Sequence, residues 1–167
     1  MFKQLIEYSK RGAFDELYTP PEAIEPLLKY IPDSVKKIWC CCDDSESNIV
    51  KRLREKEYTV IATHLNDGID ALDSKIGCDM IITNPPYSLK DEFLEWAYNN
   101  KIPFAFLLPT TAISGKKRNN FYRKYGINLI VLDKRIDFNG KGSCWFPVAW
   151  FFYSGQNDSK LYFEEIK

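Results

Sequence analysis

Cys78-Asp79-Met80-Ile81-Ile82-Thr83-Asn84-Pro85-Pro86-Tyr87 is the stretch on which the fold turns. Met80 to Thr83 is a short apolar, β-branched run of the kind that forms a strand buried on both faces. Two prolines stop it at once, because neither has an N–H to give to a sheet ladder. Lys90 to Tyr98 then reads as a helix, so the segment is strand, rigid turn, helix.

The same alternation extends outward on both sides. Upstream, Val35 to Cys42 reads as a buried strand, Glu46 to Lys56 as a helix with an acidic start, and Tyr58 to Thr63 as a strand. Further upstream, Tyr18-Thr19-Pro20-Pro21-Glu22 reads as a helix start: Thr19 can cap, a proline suits the first turn, and the helix from Glu22 to Tyr30 stops near Pro32. Downstream come a strand Phe104 to Leu108, a helix Lys116 to Tyr125, and strands Leu129 to Leu132 and Val148 to Tyr153. There is no internal repeat and no low-complexity segment. The pattern predicts an α/β fold, a mostly parallel open sheet of about seven strands with helices on both faces. Such sheets bind ligands beyond the carboxyl ends of their strands.

Composition narrows the class. With 167 residues, 45% of them hydrophobic, the chain suits one compact domain, expected over 1–167 with 1–17 as an N-terminal extension. Lys and Arg (23) balance Asp and Glu (23), so any affinity for a polyanion has to come from a local patch. The five cysteines, Cys40, Cys41, Cys42, Cys78 and Cys144, lack zinc-type spacing, and no metal site is expected. The Cys40-Cys41-Cys42 run reads as strand packing. No run is long and apolar enough for a membrane span and Met1 to Arg11 lacks a signal-peptide core, so a cytoplasmic location is expected.

The turn Asn84-Pro85-Pro86-Tyr87 carries chemistry. An amino group on an aromatic ring is a poor nucleophile because its lone pair is delocalised into the ring. Two acceptors aimed at its two hydrogens pull that pair back onto nitrogen, and the Asn84 side-chain oxygen and the Pro85 carbonyl are such a pair. The prolines hold that carbonyl in place, and the Tyr87 ring can stack on a flat base. Taken apart from its strand, the tetrapeptide is also a plain rigid turn.

With that motif placed after a strand, the chain resembles the S-adenosylmethionine-dependent amino-group DNA methyltransferases, in particular small phage-type N6-adenine enzymes. The likeness runs roughly from Leu17 to Tyr153, and Asn84 to Tyr87 is its specific part. It implies a Rossmann-like methyltransferase fold, S-adenosyl-L-methionine as cofactor, and methyl transfer to a flipped adenine in nucleic acid, DNA ahead of RNA. Asn84, Pro85, Pro86 and Tyr87 would then be the catalytic residues.

The resemblance also implies a cofactor pocket. Tyr18, Thr19 and Pro20 match the segment that lines its methionine end, though they also fit a helix cap. After the first strand the family carries an acidic residue and a Gly-rich turn; here Cys42-Asp43-Asp44-Ser45 has no glycine. Asp43 and Ser45, with Cys42, are the expected contacts, or else they only cap the next helix. His64 stands where an acidic residue usually holds the ribose, and is also readable as a polar strand end. Asp70 matches the residue that meets the cofactor's adenine amino group, or is a turn aspartate, and Asn84 would border the cofactor as well.

For the substrate, Phe146 and then Trp145 correspond to a second aromatic against the flipped base, with core packing as the other account. Lys116, Lys117 and Arg118 open a basic stretch that either contacts phosphates or is a solvated helix face. The chain leaves almost no room for a separate target-recognition domain, so the site is short or a partner chain supplies recognition. The same acceptors would suit RNA or a protein glutamine. A catalytically silent binding subunit is the reading from outside the enzyme class.

Overall fold

The computed structural model describes residues 18–138, 140, 142, 144 and 146–167. The expected N-terminal extension and Trp145 lie outside the described residues. Seven strands form one sheet: β1 (Lys37–Cys40), β2 (Thr59–Ala62), β3 (Met80–Thr83), β4 (Phe104–Pro109), β5 (Asn128–Leu132), β6 (Val148–Tyr153) and β7 (Leu161–Glu164). Their order is β2-β1-β3-β4-β6-β5-β7. All pairings are parallel except those of β6, which runs antiparallel to both β4 and β5.

Alternation along each strand splits the core in two. Ile38 and Cys40 of β1 face α1 (Glu25–Leu28) and α2 (Asn48–Glu55), where Ile24, Leu27, Ile49, Val50 and Leu53 are buried. Trp39 and Cys41 turn to the other face, against Phe93, Leu94, Ala97 and Tyr98 of α3 (Lys90–Asn99) and the aromatic side of α4 (Lys116–Tyr125). The expected α/β sheet with helices on both faces is present, and Cys40 and Cys41 pack as small hydrophobes.

This arrangement positions the site. From β1 the chain passes through α2 to β2 at the sheet edge, then crosses back to β3 on the other side of β1. The connections before and after that reversal cover opposite faces. The reversal lies at the carboxyl ends of β1 and β3, and sheets of this kind take ligands in a crevice at such a point.

The structure differs from the local expectations in three places and adds one strand. The helix expected over Glu22 to Tyr30 is a 3-10 turn, Pro21–Ala23, followed by the short α1, because Pro26 has no N–H to give to Glu22. Thr19 caps nothing: Pro20 occupies the capping position and no side chain bonds there. The next helix starts at Asn48 rather than Glu46, without an acidic first turn, since the Asp44 carboxylate takes the Glu46 and Ser47 amides, both at 2.9 Å, before the helix begins. Finally, β7 was not foreseen.

Candidate active site

The last residue of β3, Thr83, is fully buried, and its hydroxyl donates to Asp43 Oδ2 at 2.5 Å. Ser47, the capping residue of α2, donates to Asp43 Oδ1 at 2.6 Å, while its own Oγ accepts from the Ile49 amide at 3.2 Å. The Asp43 N–H donates to the Thr63 carbonyl at 3.2 Å just past β2. Asp43 thus joins these elements: its carboxylate ties the end of β3 to the start of α2, and its backbone N–H ties the loop after β1 to the end of β2. Burial pushes its pKa from 3.8 up to about 6; the Ser47 and Thr83 hydroxyls and His64 oppose that rise, and Asp44 adds to it.

Asn84 follows Thr83 directly, so the acceptor motif is anchored by the same carboxylate. Pro85 is buried, Pro86 is extended (φ −55°, ψ 123°), and its carbonyl accepts from the Leu89 amide at 2.9 Å. Asn84 Oδ1 and Tyr87 Oη are both shielded from solvent. The Tyr87 carbonyl accepts from Lys90 Nζ at 3.1 Å, and its ring touches both halves of the core. Phe146 meets that ring edge-on, with centroids 5.7 Å apart and planes at 79°. The structure therefore brings Phe146, predicted from the far end of the chain, to the motif.

The Tyr18 to Pro20 segment lies against the loop after β1. Asn48 Nδ2 donates to the Thr19 carbonyl at 3.1 Å, and Tyr18 Oη approaches Asp44 Oδ2 at 3.5 Å. Thr19 is only 3% exposed, and its Oγ1 has no hydrogen-bond partner among the described residues. Cys42 is half-buried beside Cys41, their sulfurs 3.9 Å apart. Ser45 faces solvent, and the serine that reaches Asp43 is Ser47.

His64 and Asp70 both sit at the starts of 3-10 turns. His64 Nδ1 accepts from the Asn66 amide at 3.1 Å, and Asp70 Oδ1 accepts from the Leu72 amide at 3.0 Å. Of the basic residues, Lys117 pairs with Glu95 at 2.6 Å and Arg118 with Asp91 at 2.5 Å, which ties α4 to α3; Lys116 is exposed. A phosphate at Lys117 or Arg118 has to compete with those carboxylates.

Sequence reasoning did not single out Thr83, Ser47, Asn48 or Lys90. The signal for Thr83 was present, a hydroxyl ending the otherwise apolar run Met80-Ile81-Ile82 one residue before the motif. Among the described residues no group of acidic, His and Cys side chains is placed to hold a metal, and no helix is long and apolar enough to cross a membrane.

No family model and no curated sequence matches the chain. Among solved structures it is similar to a type I restriction-modification methyltransferase subunit from Streptococcus thermophilus, with a TM-score of 0.57 and 17% identity, over 89% of this chain and 46% of that one. The chain thus spans about half the length of that subunit. It is also similar to a Listeria monocytogenes protein described as a class I S-adenosylmethionine-dependent methyltransferase, with a TM-score of 0.52 and 11% identity, over 98% of this chain and 71% of that one. These likenesses, with the sheet order and the reversed β6, show that the chain has a Rossmann-like methyltransferase fold.

Proposed function

We propose that the protein is an S-adenosylmethionine-dependent methyltransferase that acts on N6 of adenine in nucleic acid, DNA ahead of RNA, as one catalytic domain. The observation that carries the reading is the position of Asn84-Pro85-Pro86-Tyr87 at the carboxyl end of β3, tied through Thr83 to the buried Asp43 at the ligand crevice. A restriction-modification subunit among the similar folds supports DNA as the substrate.

The crevice suits the cofactor. Thr19 Oγ1 is a buried hydroxyl without a partner among the described residues, a state that costs about 1–3 kcal/mol until a ligand supplies the bond. Asp43 would set a negative field where a cationic amino acid lies, and Asp70, with His64, would border the outer part. S-adenosylmethionine bound there would supply an electrophilic methyl group on a sulfonium.

The chain's own residues would do the rest. Asn84 Oδ1 and the Pro85 carbonyl accept the two amino hydrogens and turn the nitrogen lone pair toward the methyl carbon. Tyr87 and Phe146 would form the aromatic walls for the base, and Lys116, exposed at the start of α4 beside the Glu95-paired Lys117, would meet its backbone. The amino proton leaves to solvent once the nitrogen has become cationic. A partner chain would supply target recognition.

Transfer of labelled methyl groups to DNA, followed by digestion to nucleosides, tests the proposal. Label in N6-methyladenine is expected; label in RNA or in protein glutamine would move the substrate. A silent binding subunit is favoured by the self-closed loop, in which Asp44 and Ser47 satisfy the backbone amides. Calorimetric titration showing no cofactor binding would select it.

A further inference from the structure

Among the described residues, strand β7 lies at one end of the sheet and pairs only with β5, in parallel register. Tyr162 turns inward, its ring 4.5 Å from that of Tyr30, and Glu164 bonds Tyr30 and Lys29. The alternate residues face out: Leu161 is 56% exposed and Phe163 74%. In register these two lie beside Leu129 and Val131, so they carry the apolar row of the α3/α4 face past the last strand.

The backbone of this edge is open in a defined way. The Leu129 amide donates to the Lys160 carbonyl and the Asp133 amide to the Glu164 carbonyl, both at 2.9 Å. Residues alternate along a parallel ladder, so the amides and carbonyls of Leu161 and Phe163 point away from β5. Proteins usually blunt such an edge with proline, a bulge or an outward charge; Leu161 to Glu164 has regular register and shows two large hydrophobes instead.

We propose that β7 pairs antiparallel with β7 of a second copy of this chain, about a two-fold axis at Tyr162. The run Lys160-Leu161-Tyr162-Phe163-Glu164 is complementary to itself reversed. Leu161 lies opposite the partner's Phe163 on one face. On the other, Lys160, whose ammonium lies 3.5 Å from Asp158, comes opposite the partner's Glu164, which also bonds Lys29 and Tyr30, with the two tyrosines at the centre.

The outward amides fit the same register, because Leu161 and the partner's Phe163 become a pair that exchanges both N–H···O bonds. Moving the axis to Phe163 would set Leu161 against the partner's Glu165, and moving it to Leu161 would set Phe163 against the partner's Ser159. Only the Tyr162 axis satisfies charge, apolar contact and hydrogen bonding together.

Sedimentation across a concentration series, joined to cysteine cross-linking, tests the interface on the full chain. Wild type is expected to self-associate, and Phe163→Lys to weaken association by about tenfold or more. Leu161→Cys and Phe163→Cys chains, mixed and mildly oxidised, are expected to cross-link unlike to unlike. Like residues would sit about 7–8 Å apart in this register, beyond disulfide reach. Both positions are exposed, so an unchanged urea midpoint certifies the fold of each variant. A wild type that stays monomeric, association untouched by Phe163→Lys, or like-to-like cross-linking would each overturn the proposal.

Discussion

Replacing Asp43 with asparagine is expected to make the fold more stable at neutral pH. Asp43 is 8% exposed, and its pKa rises from 3.8 to about 6, chiefly through burial. A carboxyl group raised in the folded state lends its full stability below its unfolded pKa and loses it as pH climbs through the folded value. Across this interval the loss is about 3 kcal/mol, at ~1.4 kcal/mol per pH unit. Asparagine keeps the shape and can still bond Ser47 and Thr83, but has no charge to desolvate. The variant should therefore gain up to about 3 kcal/mol at pH 7 to 8, roughly 6–12 °C in melting temperature for a chain of this size. Its advantage should shrink to nothing near pH 4. Urea denaturation of both proteins from pH 4 to pH 8, followed by circular dichroism, measures this directly. Parallel stability profiles, or an asparagine variant less stable at pH 7, would refute the account of Asp43 as a charge held in the fold at a cost. Under the proposed function the same variant loses activity, since the negative field in the crevice is gone.

Further outcomes follow from other contacts. Asn84→Ala should reduce methyl transfer at least about 100-fold, as expected for loss of a preorganised acceptor, with cofactor affinity changed far less in titration. Tyr87→Ala should weaken binding to the target while leaving cofactor affinity intact, read by fluorescence anisotropy of labelled DNA. Thr83→Val removes the hydroxyl on Asp43 and should lower kcat, with Thr83→Ser restoring it in steady-state assays. Gly126→Ala should destabilise by about 2 kcal/mol or more in urea titration, since Gly126 has φ +81° and a Cβ there would lie 2.2 Å from the Asp158 carbonyl oxygen.

Most of the fold was legible in the sequence because its strands are buried on both faces. Met80–Thr83 and Val148–Tyr153 match their expected ranges residue for residue, as does the helix Lys116–Tyr125. Continuous apolar runs broken by proline or acidic turns are local signals, and burial from both sides leaves them little choice. The acceptor motif was legible for the same reason: two prolines after an apolar strand dictate a rigid carboxyl-end turn wherever the chain goes next.

Other features depended on which segments meet in space. The reversal of β6 between β4 and β5 leaves no mark on Val148 to Tyr153, because a strand buried on both faces reads alike in either direction. The partners of Asp43 come from positions 47 and 83, and Phe146 reaches Tyr87 across the sheet; no local spacing encodes either meeting. Edge strand β7 escaped notice because its large hydrophobes face outward and its core contacts come from Tyr162. The sequence by itself determined the strands, the sheet class and the rigid turn Asn84-Pro85-Pro86-Tyr87 at a strand's carboxyl end, all set by local sterics and hydrophobic pattern. Only the tertiary structure decided what holds that motif, since a buried carboxylate takes its partners from whatever the fold brings within hydrogen-bond reach.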